Sequence, residues 1–301
     1  MTRRIDIVEV GPRDGLQNED RILSTDQKVR LIEHLLEAGV RRIETVSFAH
    51  PTLVPQMADA EAVMARLPEG DGVSYIGLVM NQRGWQRACE TRVNEINIPV
   101  FATDTFNEKN QGVSTDESIE TLAQIAVEAS AAGLGVTATI SAAWGCPFEG
   151  EVPTERVVAI ARRLAETDID ELALGDTIGV ADPWSVTERI AAVQTVTGDL
   201  PLRVHFHDTR NTGIANVHAA IDSGVSVIDA SVGGIGGCPF APAATGNIAT
   251  DDLVYMLNRA GFEHGISLDA LIGISQEMED VLGKTVPAML PKAGDFPGGL
   301  Q

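Results

Sequence analysis

Cysteine is scarce in this 301-residue chain, with three copies at Cys89, Cys146 and Cys238. Three thiols so far apart build no disulfide framework, so a reducing, cytoplasmic setting is expected. Aromatic residues are also few, 4% against a hydrophobic share of 44%. Val, Ile, Leu and Ala must therefore fill the interior, as they do in parallel sheets and barrels. Positive charge is short as well: 22 Lys and Arg stand against 43 Asp and Glu, a net charge of −21. Such a surface repels phosphate backbones and anionic headgroups, which excludes nucleic acid and membrane as expected partners. Long apolar runs are missing too. Nothing approaches the roughly 20 residues that span a bilayer, and the start, Met1 to Asp6, enters a strand without a signal-like stretch. An anionic small ligand is still allowed, provided an arginine or a cation receives it locally.

What is present is a repeat of short apolar, β-branched runs with amphipathic segments between them, the pattern of βα units. Strands are predicted at Ile5–Val10, Arg42–Val46, Ser74–Val79, Glu95–Val100, Gly135–Ile140, Glu171–Leu174, Leu202–Phe206 and Ser226–Ser231. Helices fill the gaps; Thr25–Glu37 carries Val29, Leu31, Ile32, Leu35 and Leu36, with an N-cap oxygen available from Ser24 or Thr25. No GxGxxG follows the first strand, so a dinucleotide sheet has no support. Eight units close into a (β/α)8 TIM barrel, expected over residues 1–250. Residues 251–301, with helices near Asp251–Ala260 and Leu268–Leu282 and a Pro/Gly-rich tail from Thr285, are expected to pack on it as a helical extension.

Chemistry-bearing residues gather where these strands end. His205 and His207 are two apart in the seventh strand and so point to one face, towards the barrel mouth. Two imidazoles form half of a divalent metal site, and Asp14, after the first strand, adds the hard oxygen that Mg²⁺ or Mn²⁺ prefers. Asn247 offers a neutral carbonyl oxygen, and two positions of an octahedral shell then stay open for a bidentate substrate. Asp208 can instead orient a histidine. Arg13 presents a fork suited to an enolate or carboxylate oxyanion, with Glu44 placed to hold it. Cys238 sits in the run Gly233-Gly234-Ile235-Gly236-Gly237-Cys238-Pro239-Phe240, where glycines allow a loop to open and close and a thiol can exchange a proton. Gly-Cys-Pro-Phe recurs at Gly145–Phe148, which makes Cys146 a competitor, read as a small buried wall residue. Gln17, Ser47 and Asp176, at or after strand ends, are taken as further substrate contacts.

With those residues in view, the chain resembles hydroxymethylglutaryl-CoA lyase, within the wider group of barrel lyases and synthases that share an Arg-Asp-Gly motif. The likeness runs from Val8–Glu19 to Ala244–Leu257 and includes Gly-Gly-Cys-Pro-Phe, Pro55–Asp59 and Leu174–Gly179. It implies a divalent-metal-dependent carbon–carbon lyase on an acyl-CoA thioester, with the 3-hydroxy-3-methylglutaryl group as substrate and a place in leucine catabolism. It also implies Asp14, His205, His207 and Asn247 as metal ligands, and Arg13, Cys238, His205 and Glu44 as catalytic or supporting groups. A homo-oligomer, dimer or larger, is expected. Condensing relatives usually carry Asn after the His-x-His pair; Asp208 here favours cleavage. Two stretches depart from the lyase pattern: Arg210-Asn211-Thr212 replaces Tyr-Gly-Gln, and Ala142-Ala143-Trp144 replaces Cys-Ala-Leu before Gly145-Cys146. Both leave open a citramalyl-CoA or a bulkier 3-hydroxy-3-alkylglutaryl-CoA as substrate.

Overall fold

A computed structural model describes residues 4–237 and 246–296. Eight parallel strands close into a barrel in which the first, Asp6–Glu9, pairs with the eighth, Val227–Ala230, and with the second, Arg42–Ser47. The others are Ser74–Leu78, Glu95–Phe101, Gly135–Ser141, Glu171–Asp176 and Leu202–Phe206. All eight expected strands are present, with ends moved by one or two residues. The barrel expectation is therefore borne out, and the reason lies in the alternation of side chains along each strand.

Outward-facing Ile, Val, Leu and Ala pack against the helices in one large apolar core that includes Ile43, Ile96, Leu122, Leu172, Ile228 and Leu253. Inward-facing positions are polar to an unusual degree. Glu44, Asn97, Thr137, Arg203 and Asp229 are all buried, where branched aliphatic residues ordinarily fill a barrel. A second, small apolar cluster is formed by Val8, Val10, Ile76 and Val227.

Helix α1, Thr25–Glu37, begins on a capping box: Ser24 accepts from Gln27 N–H and Gln27 reaches back to Ser24 N–H. Its buried face is Val29, Leu31, Ile32 and Leu35. The Pro55–Asp59 motif serves this helix. Lys28 Nζ, itself buried, pairs with Asp59 and donates to Gln56 O, and Gln56 Nε2 donates to Glu19 O at 3.0 Å. After the eighth strand, α2 (Thr250–Ala260) buries Leu253, Val254 and Leu257. It follows the eighth strand and packs its apolar face into the barrel's core. Helix α3, Leu268–Leu282, reaches α1 through His34 Nδ1 and Glu277 Oε2 at 2.9 Å. Among the described residues no helix is long and apolar enough to cross a membrane.

Candidate active site

Four segments converge at the C-terminal rim. The first is a single wide turn, Gly11–Gly15, in which Asp14 N–H and Gly15 N–H both donate to Val10 O, at 2.7 and 3.2 Å. This turn carries Arg13 and Asp14 side by side. Gly15 has to be glycine: a Cβ there would lie 2.7 Å from Ile235 Cγ1, so the turn could not sit against the segment after the eighth strand. The second segment is the end of the second strand, where a bulge between Glu44 and Val46 shifts the register. The bulge leaves Glu44 inside while Thr45 turns out to Met64 and Ile76 O.

The seventh strand supplies the third segment. Its rings at His205 and His207 lie 5.1 Å apart, centre to centre. The fourth comes from beyond the described gap, where Asn247 bridges backbone to backbone with His207. Asn247 Nδ2 donates to Asp14 Oδ2 at 2.9 Å and to Ile235 O at 3.1 Å. Its Oδ1 is buried with no hydrogen-bond partner among the described residues, and so is His207 Nδ1. Buried polar atoms without partners are rare in folded proteins and call for a ligand. Asp14, His205 and His207 each offer one donor atom within 4.8 Å of the others. Two imidazole nitrogens, a carboxylate and an amide oxygen make a mixed set fit for a hard divalent cation.

The electrostatics agree with that set. Burial alone would raise the Asp14 carboxyl, but Arg13, both histidines and the Asn247 amide hold it down to about 2. Burial, helped by neighbouring His205, pushes His207 down to about 4, so its imidazole is neutral at pH 7 and free to ligate. His205 is moved the other way: despite burial, its bond to Asp229 and the charge of Asp229 hold the imidazole above the ordinary value. The distance from His205 Nδ1 to Asp229 Oδ2 is 3.1 Å. That bond sets the tautomer, leaving Nε2 to face Asp14 Oδ2 at 4.0 Å. Asp208 does not take this part; its Oδ1 accepts from Gly213 N–H at 2.8 Å.

Arg13 Nε donates to Glu44 Oε1 at 2.8 Å and Nη1 to Asp14 Oδ1 at 2.6 Å. Among the described residues its Nη2 has no such commitment, and Arg13 lines a cavity with Asp14, Gln17, His205 and His207. Opposite them stand Leu78, Met80, Pro99, Phe101 and Phe106. Two further polar liners, Asn97 and Thr139, were not expected from the sequence; Thr139 Oγ1 donates to Asn97 Oδ1 at 2.7 Å. Their signal was period two along the fourth and fifth strands, which turns polar residues inward.

Two expected substrate contacts are not brought to the cavity. Ser47 is fully buried and its Oγ accepts Ala49 N–H at 3.2 Å. Asp176 accepts Val180 and Ala181 N–H, both at 2.9 Å, and so shapes the loop after the sixth strand. Its neighbours Gly175 and Thr177 line the cavity in its place. Neither departure from the lyase pattern lines the cavity among the described residues. Arg210 donates to Ile178 O and Gly179 O, and Trp144 packs on Phe206 at 5.4 Å between ring centres. Cys146 is buried and accepts from Thr103 Oγ1 at 3.1 Å. Cys238 lies outside the described residues, but Gly237 before it lines the cavity and accepts from Asn18 Nδ2 at 2.8 Å.

Comparison with known proteins decides the family, because the HMGL-like family model matches residues 4–278. The chain belongs to the HMGL-like family. A hydroxymethylglutaryl-CoA lyase of Bacillus subtilis is 41% identical over 286 residues, 95% of this chain and 96% of the relative. An (R)-citramalyl-CoA lyase of Chloroflexus aurantiacus is 41% identical over 300 residues, covering 96% and 95%. Among solved structures, an HMG-CoA lyase from Acinetobacter baumannii in complex with coenzyme A and 3-methylmalate is 36% identical. Its TM-score is 0.94, with 98% of this chain and 96% of that chain covered. Family members named as lyases of two different acyl-CoA thioesters thus stand at equal identity to this one.

Proposed function

We propose that this protein cleaves 3-hydroxy-3-methylglutaryl-CoA to acetyl-CoA and acetoacetate by a retro-Claisen reaction. The observation that carries the reading is the meeting of Arg13 with the Asp14, His205 and His207 cluster in one cavity. The coenzyme A bound in the Acinetobacter relative supports a thioester substrate. Asp14, His205, His207 and the Asn247 carbonyl would hold a Mg²⁺ or Mn²⁺ ion, whose chemistry when bound is to acidify a hydroxyl and polarise a carbonyl.

The chain's own groups do the rest. The tertiary hydroxyl loses its proton to a base in the cavity, a carboxylate beside it or His205 Nε2; His205 takes that part only where it does not also hold the ion, because Asp229 occupies Nδ1 and Nε2 has a single lone pair. As the C–O bond becomes a ketone the carbon–carbon bond breaks, and its electron pair passes to the thioester as an enolate. Arg13, aligned by Glu44, places its guanidinium against that oxyanion. The Cys238 thiol, delivered by the segment after Gly237, returns a proton to the enolate carbon and releases acetyl-CoA.

Equal identity to a citramalyl-CoA lyase keeps that thioester as a second reading. The test is one panel: both thioesters and 3-hydroxy-3-alkylglutaryl-CoA homologues, each with Mg²⁺ or Mn²⁺, followed by release of the oxo product. A companion incubation with acetyl-CoA and a 2-oxo acid scores free coenzyme A. Cleavage of the methylglutaryl thioester with the highest kcat/KM is expected. Free coenzyme A appearing in the companion reaction, with no cleavage in the panel, would make the protein a synthase instead.

A further inference from the structure

Among the described residues Arg203 is the largest fully buried side chain, at 0% exposure, two positions before His205 on the inward face of the seventh strand. A guanidinium is costly to remove from water, and a barrel interior is ordinarily filled by branched aliphatics. Its surroundings show what it is held for. Arg203 Nε binds Asp229 Oδ1, while Asp229 Oδ2 takes His205 Nδ1 at 3.1 Å. Arg203 Nη2 lies 3.6 Å from Glu44 Oε2, while Glu44 Oε1 takes Arg13 Nε at 2.8 Å. Asp229 thus gives one oxygen to Arg203 and the other to His205, while Glu44 gives Oε1 to Arg13 and turns Oε2, which accepts from Asn97 Nδ2 at 3.5 Å, to within ion-pair range of Arg203. The third arm, Nη1, lies 3.7 Å from Glu171 Oε1 towards the barrel floor.

We propose that Arg203 is a positioning residue, the shared counter-ion that holds Glu44 and Asp229 apart and in register, so that Arg13 and His205 face the same point in the cavity. The Nε bond fixes the orientation of Asp229, and the guanidinium charge, with no hydrogen bond from Nη1 or Nη2 among the described residues, offsets the repulsion between Asp229 and Glu44. This inference rests on the lyase reading for its kinetic part only. The metal-binding part stands on the geometry of His205 alone.

Arg42 supplies the comparison. It is another interior arginine of the same charge ladder, bound to Glu95, Glu171 and Asp6, none of which touches Arg13 or His205. In the full-length protein we would measure Mn²⁺ affinity by calorimetry, thermal midpoint, and kcat and KM at saturating Mn²⁺ for Arg203→Met, Arg203→Lys and Arg42→Met. Loss of an orienting partner weakens metal binding about 10–100-fold. Arg203→Met is accordingly expected to bind Mn²⁺ at least tenfold more weakly and to lose about a hundredfold in kcat with KM within twofold. Arg203→Lys should fall between it and the wild type. Arg42→Met should lower the thermal midpoint and leave Mn²⁺ affinity and kcat unchanged.

Wild-type affinity and kcat in Arg203→Met overturn the proposal; if that variant does not fold, the same result in Arg203→Lys does so. An equal loss of Mn²⁺ affinity in Arg42→Met, or a wild-type protein that holds no Mn²⁺, overturns it as well. If the wild type binds Mn²⁺ but cleaves no thioester, the lyase reading fails and the affinity series still decides the role of Arg203.

Discussion

Arg13 is where a single side chain is asked for the most. It is fastened by Nε to Glu44 and by Nη1 to Asp14, which leaves it rigid and aimed at the cavity before any substrate arrives. Preorganised donors of this kind contribute about 3–4 kcal/mol to a transition state, or 10²–10³ in rate. Arg13→Met is expected to fold and to lose at least that factor in kcat in a steady-state assay; a variant within tenfold of wild type would remove Arg13 from the mechanism. Legibility at this scale was uneven. Asp14, His205, His207 and Arg13 stand in short motifs whose residue types announce their chemistry. Asp229 and Arg203 stand inside strands that read as plain apolar runs, and one-dimensional patterning does not show that two inward charges on neighbouring strands will meet.

Among the elements, the segment after the eighth strand carries a tight constraint. Gly246 has φ +78°, and a Cβ there would lie 2.5 Å from Gly236 O and 2.7 Å from Gly234 O. Gly246 O also accepts Asp208 N–H at 3.0 Å, which ties the segment to the end of the seventh strand. The glycine thus sets where Asn247 falls. An alanine at a left-handed position costs on the order of 1–3 kcal/mol, and the clash adds to it. Gly246→Ala should lower the denaturation midpoint and weaken Mn²⁺ binding together. An unchanged metal affinity would mean that Asn247 is placed by something else. Helix α1 shows the opposite case, an element wholly readable in advance. Ser24, Gln27 and the apolar spacing specify its start and its buried face without help from neighbours.

The molecule as a whole answers to pH through carboxyls buried behind the active-site rim. Glu9 is fully buried, and burial drives its carboxyl from 4.5 up to about 7, against bonds from Thr250, Val232 and Gly11. Those bonds tie together the turn of Arg13, the foot of the glycine-rich segment and the start of α2. Because the folded state keeps this proton to higher pH than the unfolded chain, its contribution is complete below pH 4.5 and fades as pH rises to about 7. Asp251, raised by burial to about 6, acts in the same direction. Asp14 runs the other way, its contribution lost as pH falls from 3.8 towards 2. Urea midpoints taken from pH 4.5 to 8 are expected to drop in the wild type and to stay flatter in Glu9→Gln. The difference is up to about 3 kcal/mol at 1.36 kcal/mol per unit. Parallel curves for the two proteins would show that Glu9 does not titrate in this window.

Sequence by itself determined the eight βα units, the residue types at the rim and the absence of alternatives such as a dinucleotide sheet. Each of these is written in local spacing, which survives without knowledge of the fold. Tertiary structure alone decided which carboxylate orients His205, that Ser47 and Asp176 turn away from the cavity, and that buried arginines knit the barrel interior. Those outcomes depend on strand register and barrel closure, which set residues hundreds of positions apart within hydrogen-bonding reach, and no pattern along the chain encodes that distance.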